Sequence, residues 1–140
     1  MSWHGPRLYI ASCTRHATRW NTFADQVEGL RVTSTWHKDF EAAKDVPVNA
    51  LKFWAQDFDD IEYQSNVMLV YQESEDKLRG ALIEAGFALG INSAKRKFPV
   101  IYCGNDFWAG TWAYAEAVLR ARSFDDAIEL ARRVHADWPH

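Results

Sequence analysis

Glu84 is the only ionisable residue between positions 81 and 91, a run reading ALIEAGFALGI. Burying a lone carboxylate on such a stretch is unfavourable unless something pairs with it or uses it. The run follows an apolar strand candidate, Val67–Tyr71, across a short polar connection at 72–80. That spacing puts Glu84 in or near the first turn of a helix, beyond the carboxyl end of a strand, where open α/β sheets place their ligand chemistry. The helix dipole there favours the ionised form, so the expected role is nucleophile or base rather than acid. An ordinary acidic residue in a helix's first turn is the plainer alternative. A second carboxylate comes from a helix expected over 49–65, where Leu51, Trp54, Phe58 and Ile61 share one face. Asp57 lies roughly 80° from the centre of that face, and Asp59 and Asp60 lie beyond about 110°. Asp57 therefore stands on the core margin, within reach of a crevice, whereas Asp59 and Asp60 read as solvated.

The segment after the first strand, ASCTRHATRW, offers different chemistry. Cys13 and Arg19 are separated by five residues between a strand and a helix, as are the thiolate nucleophile and phosphate-binding arginine of low-molecular-weight tyrosine phosphatases. Glycine for a phosphate-cradling turn is missing, and Trp20 stands where a hydroxyl residue is expected. Ser12, Thr14 and Thr18 are similar to a flavodoxin phosphate loop but out of step by one residue. Neither a dinucleotide fingerprint nor a Walker loop is present.

Positioning these groups requires alternating strands and helices. Strands are expected at 8–12, 30–36, Val67–Tyr71, 98–103 and, as an edge, 117–121. Helices are expected at 14–29, ended by Gly29, at 38–44 before Pro47, at 49–65 capped by Asn49, and at 78–92. A last helix runs from a Ser123 cap to about Trp138, with Asp125 and Asp126 at its positive end. Residues 105–115 read as an aromatic loop or irregular helix. Such alternation implies βαβ units and a mostly parallel sheet, a flavodoxin-like three-layer sandwich with strand order 2-1-3-4-5. Its crevice opens between strands 1 and 3, so residues 12–15 and 72–84 converge there.

The 140 residues form one domain with room for a core. Hydrophobic content of 48%, charged content of 25% and a net charge of −3 with scattered Lys and Arg argue against a polymeric nucleic-acid partner. No apolar stretch reaches membrane-spanning length, and the amino-terminal segment lacks a signal-peptide core. Cys13 and Cys103 make no disulfide framework and read as reduced thiols of a cytoplasmic protein. His4, His16, His37, His135 and His140 show no metal-ligand spacing, so no metal is expected. Seven Trp, five Tyr and eight Phe are an unusual aromatic load, serving cores, interfaces and stacking platforms alike.

Four segments in order carry a family likeness: LYIAS with Tyr9, QDFDDI, VMLVY and GALIEAGFALG. From about Tyr9 to Gly104 the chain resembles the nucleoside 2-deoxyribosyltransferase-like superfamily, which includes 2′-deoxynucleoside 5′-monophosphate N-glycosidases. The most specific element is the Gly-x-x-x-Glu-x-Gly segment from Gly80 to Gly86. The resemblance implies a retaining attack on an anomeric carbon, with Glu84 as nucleophile, Tyr9 orienting it, and Asp57 contacting the base and protonating it as it leaves. It implies that Gly86, Gly90, Ala85 and Ala88 let the helix lie close to the sheet. It implies further that Ser74, Glu75 or Asp76, with Asp76 favoured, fills a sugar- or base-contacting place. Arg15 falls where the monophosphate hydrolases keep an arginine near phosphate, and reads equally as a helix-start surface residue. Ser12 and Gly80 join the expected substrate-binding set. Base stacking by Trp36, Trp108 or Trp112 stands beside core or interface packing for each. No cofactor is implied, and relatives form dimers or larger assemblies whose neighbouring subunits complete the pocket. The rival classes are a non-catalytic nucleotide-binding relative, the Cys13/Arg19 phosphatase and flavodoxin-type electron transfer. Transfer and hydrolysis, base and sugar preference, and a need for phosphate stay open at this level.

Overall fold

The computed structural model describes residues 4–42, 50–74, 76–105 and 110–136. Five strands, β1 (Arg7–Ser12), β2 (Arg31–Val32), β3 (Val67–Tyr71), β4 (Val100–Cys103) and β5 (Val118–Ala121), form one sheet in the order β2-β1-β3-β4-β5. Every pairing is parallel. This is the flavodoxin-like architecture expected from the alternation of strand and helix patterns. β3 sits at the centre, and all five of its residues are buried, which explains its unbroken VMLVY run.

The helices are α1 (Ala17–Gln26), α2 (Trp36–Ala42), α3 (Ala50–Asp59), α4 (Arg79–Ala94) and α5 (Phe124–Ala136). The path from β1 to β2 runs one way along the sheet and the path from β3 to β4 the other. Right-handed crossovers then put α1 and α4 on opposite faces. Trp20 and Phe23 of α1 pack on Phe124 of α5, while Phe58 of α3 meets Phe87 of α4 edge-on at 4.8 Å. One face of the sheet thus carries α1 and α5, and the other carries α3 and α4. Trp20 is fully enclosed, with its indole N–H donated to the Ser12 hydroxyl at 2.7 Å.

Three elements depart from the sequence expectation. The helix expected from Thr14 opens as a 3-10 turn (Thr14–His16) and ends at Gln26, because Val27 already turns extended; Gly29, at φ 81°, makes the bend into β2. The strand expected over 30–36 keeps only two residues. Its remaining ladder positions are taken by side chains: Ile10 N–H donates to Ser34 Oγ at 3.2 Å, and Trp36 Nε1 donates to the Ile10 carbonyl at 2.7 Å. Two side-chain bonds thus satisfy backbone groups that a longer β2 would have paired. The helix expected through Ser65 changes at Asp60 into a π turn (Asp60–Gln64). At the chain's end, Ser123 caps α5 through its hydroxyl, which accepts from Asp126 N–H at 3.1 Å. Asn49, Pro47, Glu75, Trp108 and Trp138 lie outside the described residues.

His37 locks α2 to α1. Its Nδ1 meets Asn21 Oδ1 at 2.6 Å, the Asn21 amide donates to the His37 carbonyl at 3.2 Å, and Ser34 Oγ lies 2.9 Å from Nε2. Since the Asn21 amide nitrogen is committed to the carbonyl, its oxygen accepts from Nδ1–H, and Nε2 accepts from Ser34. Burial, with the Lys38 charge adding to it, pushes the imidazole down to about 4.

No helix among the described residues is long and apolar enough to cross a membrane.

Candidate active site

Side chains alternate across a strand, so Tyr9 and Ser12 leave β1 on opposite faces. Tyr9 points into the layer beneath α3 and α4, where it is fully enclosed, and its hydroxyl donates to Glu84 Oε2. Glu84 is the sixth residue of α4, one and a half turns in rather than in the first turn. At that depth the amino-terminal dipole has largely faded, and burial dominates. Glu84 is 7% exposed. Burial pushes its carboxyl up to about 8, the Asp57 charge adds to that rise, and only the Tyr9 hydrogen bond favours the charged form. The expectation of a carboxylate held ionised by the helix is corrected: this group is held toward its neutral form.

Asp57 reaches the same layer from α3. Its Oδ1 is buried and accepts no hydrogen bond from any described residue. Burial pushes this carboxyl up to about 7, with the charges of Asp60 and Asp39 adding to the effect. A buried polar oxygen without a donor is unfavourable by roughly 1–3 kcal/mol. Orphans of this kind mark places where something other than stability has shaped the residue.

Asp60 was expected in solvent and is instead 3% exposed. The wheel that put it outside assumes uniform α geometry, and the π turn starting at Asp60 re-phases the chain so that this residue faces inward. Thr35 Oγ1 donates to its Oδ2 at 2.6 Å and Gln56 Nε2 to its Oδ1 at 2.9 Å. Ser65 Oγ donates to its carbonyl at 2.6 Å. Asp59 is exposed, as its wheel position implied. A fixed carboxylate with both oxygens bonded therefore stands one turn from Asp57, whose Oδ1 has no described partner, and Tyr9 feels Glu84, Asp57 and Asp60 together, on top of its own burial.

Of the small residues on α4, Ala85 and Ala88 are buried, as expected for close approach to the sheet. Gly86 and Gly90 are exposed, with nothing within 4 Å of where a Cβ would stand, so their smallness does not serve that approach. Gly80, one turn before Glu84, is half-buried against the indole of Trp54.

Across the switch point, on the α1 side, the remaining expected residues form a separate cluster. Asp76 accepts from Arg15 Nε at 2.6 Å, from His16 Nε2 at 2.7 Å and from the Glu73 backbone N–H at 3.0 Å. Burial works against its charge, but these bonds outweigh it and hold the carboxyl below its ordinary range. Arg15 and Asp76, expected to contact substrate separately, are each other's partners. Ser74 is exposed and takes a positive φ of 51°. Ser12 faces this side too, bonded to Trp20 and the Cys13 carbonyl. Arg19 lies over the rings of Trp20, Tyr71 and Phe124 at 4.7–5.3 Å and bonds the Tyr71 hydroxyl and Glu73. Its guanidinium is thereby committed away from Cys13, whose thiol is free.

Of the three tryptophans expected to stack on a base, Trp36 is buried with its N–H on Ile10, and Trp112 packs edge-on against Tyr102 at 5.4 Å. Among the described residues, no group of three or more His, Cys, Asp and Glu side chains is arranged to hold a metal ion.

No family model, curated protein or solved structure matches the chain.

Proposed function

We propose that this protein cleaves or exchanges the N-glycosidic bond of a (deoxy)nucleoside or nucleoside 5′-monophosphate through a covalent glycosyl intermediate on Glu84. One observation carries the reading: a buried carboxyl that accepts from a tyrosine hydroxyl in the layer between a parallel sheet and its helices, beside a second carboxyl whose oxygen has no described partner. The family resemblance of the four segments points the same way.

Two buried carboxyls raised to about 7 and about 8, the second in part by the charge of the first, hold one proton between them near neutral pH. Glu84 is the more raised of the two, so the proton rests there more than on Asp57, and the reactive arrangement is the one that carries it on Asp57. The Tyr9 O–H stabilises negative charge on Glu84, and no described group does so for Asp57. The Glu84 oxygen then bonds to C1′ as the C1′–N bond breaks. The bonding pair leaves with the base, which takes the Asp57 proton. In the second half, Asp57 as carboxylate accepts a proton from water or from an incoming base, whose nucleophilic atom attacks C1′ and releases Glu84. Neither half needs a metal or cofactor.

Nucleosides and monophosphates both remain substrates of this reading. Arg15 is half-exposed and carries the charge a phosphate would meet, though its present partner is Asp76. The outward face of α4 presents Leu82 and Ile83, 44% and 57% exposed, which supports a homodimer that sedimentation would detect. Two free thiols support a reducing, cytoplasmic setting, which fractionation would check.

The test is chromatography of a panel of nucleosides and monophosphates incubated with the protein, with and without an acceptor base. Free base without acceptor identifies a hydrolase, and a new nucleoside a transferase. Glu84→Gln should abolish either product while circular dichroism stays unchanged. Undiminished turnover in that variant would refute the assignment.

A further inference from the structure

The two helices that bring Asp57 and Glu84 together enter from the same end of the sheet, because each runs antiparallel to the strands it covers. On α3, Trp54 precedes Asp57 by three residues. On α4, Gly80 precedes Glu84 by four. At 1.5 Å rise per residue, both stand about one turn nearer the amino ends of their helices, and so the carboxyl ends of the strands, than the carboxyls. They also touch. A Cβ built on Gly80 would lie 3.6 Å from Cη2 and 3.9 Å from Cζ2 of Trp54, so the benzo edge of the indole rests on the bare backbone of α4. A branched side chain at Gly80 would displace it.

The indole is also held from behind. Phe58 stacks on Trp54 with centroids 5.3 Å apart and planes 22° from parallel, and Phe87 braces Phe58 edge-on. Trp54 is half-buried, and Phe58 is the only ring stacked on it among the described residues. An aromatic plate therefore spans the two helices about one turn toward their amino ends from Asp57 and Glu84.

We propose that Trp54 is the stacking surface for the base of the substrate, held in place by Gly80, and that it selects planar heteroaromatic leaving groups. The proposal rests on the glycosidic reading above and adds its specificity element. With the glycosidic nitrogen beside Asp57 and C1′ beside Glu84, a base turned toward the amino ends of α3 and α4 meets the plate one turn away. Stacking needs only a π face, so the surface accepts purines and pyrimidines alike and rejects a non-planar aglycone.

Two measurements test this. Base-release kinetics on the nucleoside panel should show KM raised roughly 10- to 100-fold in Trp54→Ala with kcat little changed, the size expected for losing one base–aromatic stack. Trp54→Phe should recover most of that loss, and Gly80→Val should reproduce it by pushing the indole aside. Calorimetric binding of free adenine, guanine, cytosine and thymine to Glu84→Gln should weaken to the same extent when Trp54→Ala is added. Wild-type release together with a folded Trp54→Ala of unaltered KM overturns the stacking role and leaves the glycosidic reading standing. No release by wild type from any nucleoside sinks the glycosidic reading, and base affinity then decides Trp54 alone: equal affinity with and without the indole overturns it. If Trp54→Ala does not fold, Gly80→Val and Trp54→Phe carry the comparison, and unaltered KM in Gly80→Val overturns the proposal.

Discussion

Tyr9 and Glu84 stand 75 residues apart in sequence, yet the hydroxyl of the first donates to the carboxyl of the second in the closed layer between sheet and helix. Among the groups that shift the Glu84 carboxyl, burial and Asp57 favour the neutral form, and Tyr9 alone opposes them. The donor stands on β1, an interior strand buried from Leu8 onward, where it cannot swing away.

If Glu84 attacks as a carboxylate, that hydrogen bond should matter to the chemical step more than to binding. Tyr9→Phe keeps the ring in its packing and removes only the donor. A hydrogen bond to a charged group is worth about 1.5–3 kcal/mol, so kcat should fall roughly 10- to 100-fold with KM little altered. The carboxyl loses the Tyr9 bond that favours its charge, so the pH at which activity appears should also move upward. Steady-state kinetics across pH checks both, and a Tyr9→Phe enzyme of full kcat would remove Tyr9 from the mechanism.

Asp60 supplies a second lever. Activity requires one proton on the pair, so the profile should be bell-shaped: lost at low pH when both groups are protonated, lost at high pH when both are ionised. Asp60 helps keep the proton on Asp57 by repulsion across less than a helical turn. Asp60→Asn keeps an acceptor for Thr35 or Gln56 and removes the charge. The sign follows: Asp57 gives up its proton more readily, and the alkaline limb retreats to lower pH by on the order of one unit. An unmoved limb would show that Asp60 serves the fold alone.

How much of this was legible beforehand depends on the range of the contacts involved. β3 could be read residue for residue, because a centrally buried parallel strand is an uninterrupted apolar run. The convergence of Tyr9, Asp57 and Glu84 follows from strand order once that is known. Asp60 could not be read, since a wheel carries no information about where a helix changes its winding. The shortness of β2 was equally hidden: Ser34 and Trp36 replace ladder bonds by side-chain bonds, and Trp36 otherwise scores as an ordinary strand aromatic. Trp54 looked like one more residue of an apolar face. Its contact with Gly80 links two helices that are distant in sequence, and no local pattern encodes it. The pairing of Arg15 and His16 with Asp76 is of the same kind.

A carboxyl buried for chemistry leaves a trace in folding stability. In the folded chain Glu84 is raised from 4.5 to about 8, whereas in the unfolded chain it titrates near its ordinary value. Between those two pH values the folded state binds more protons than the unfolded state, so this group's contribution falls as pH rises. Below about pH 4.5 both states are protonated and the penalty vanishes. Glu84→Gln keeps a carbonyl oxygen for the Tyr9 hydroxyl and has nothing to ionise. Any misfit of the new amide adds an offset that does not depend on pH, whereas the gain from removing the charge grows with pH and reaches a few kcal/mol above pH 8. Urea unfolding of both proteins at pH 5, 7 and 9 should therefore show the variant gaining on wild type at each step, as it loses activity. A difference that stays flat across that range would mean that Glu84 is not held neutral in the fold, and the shared-proton mechanism would lose its physical basis.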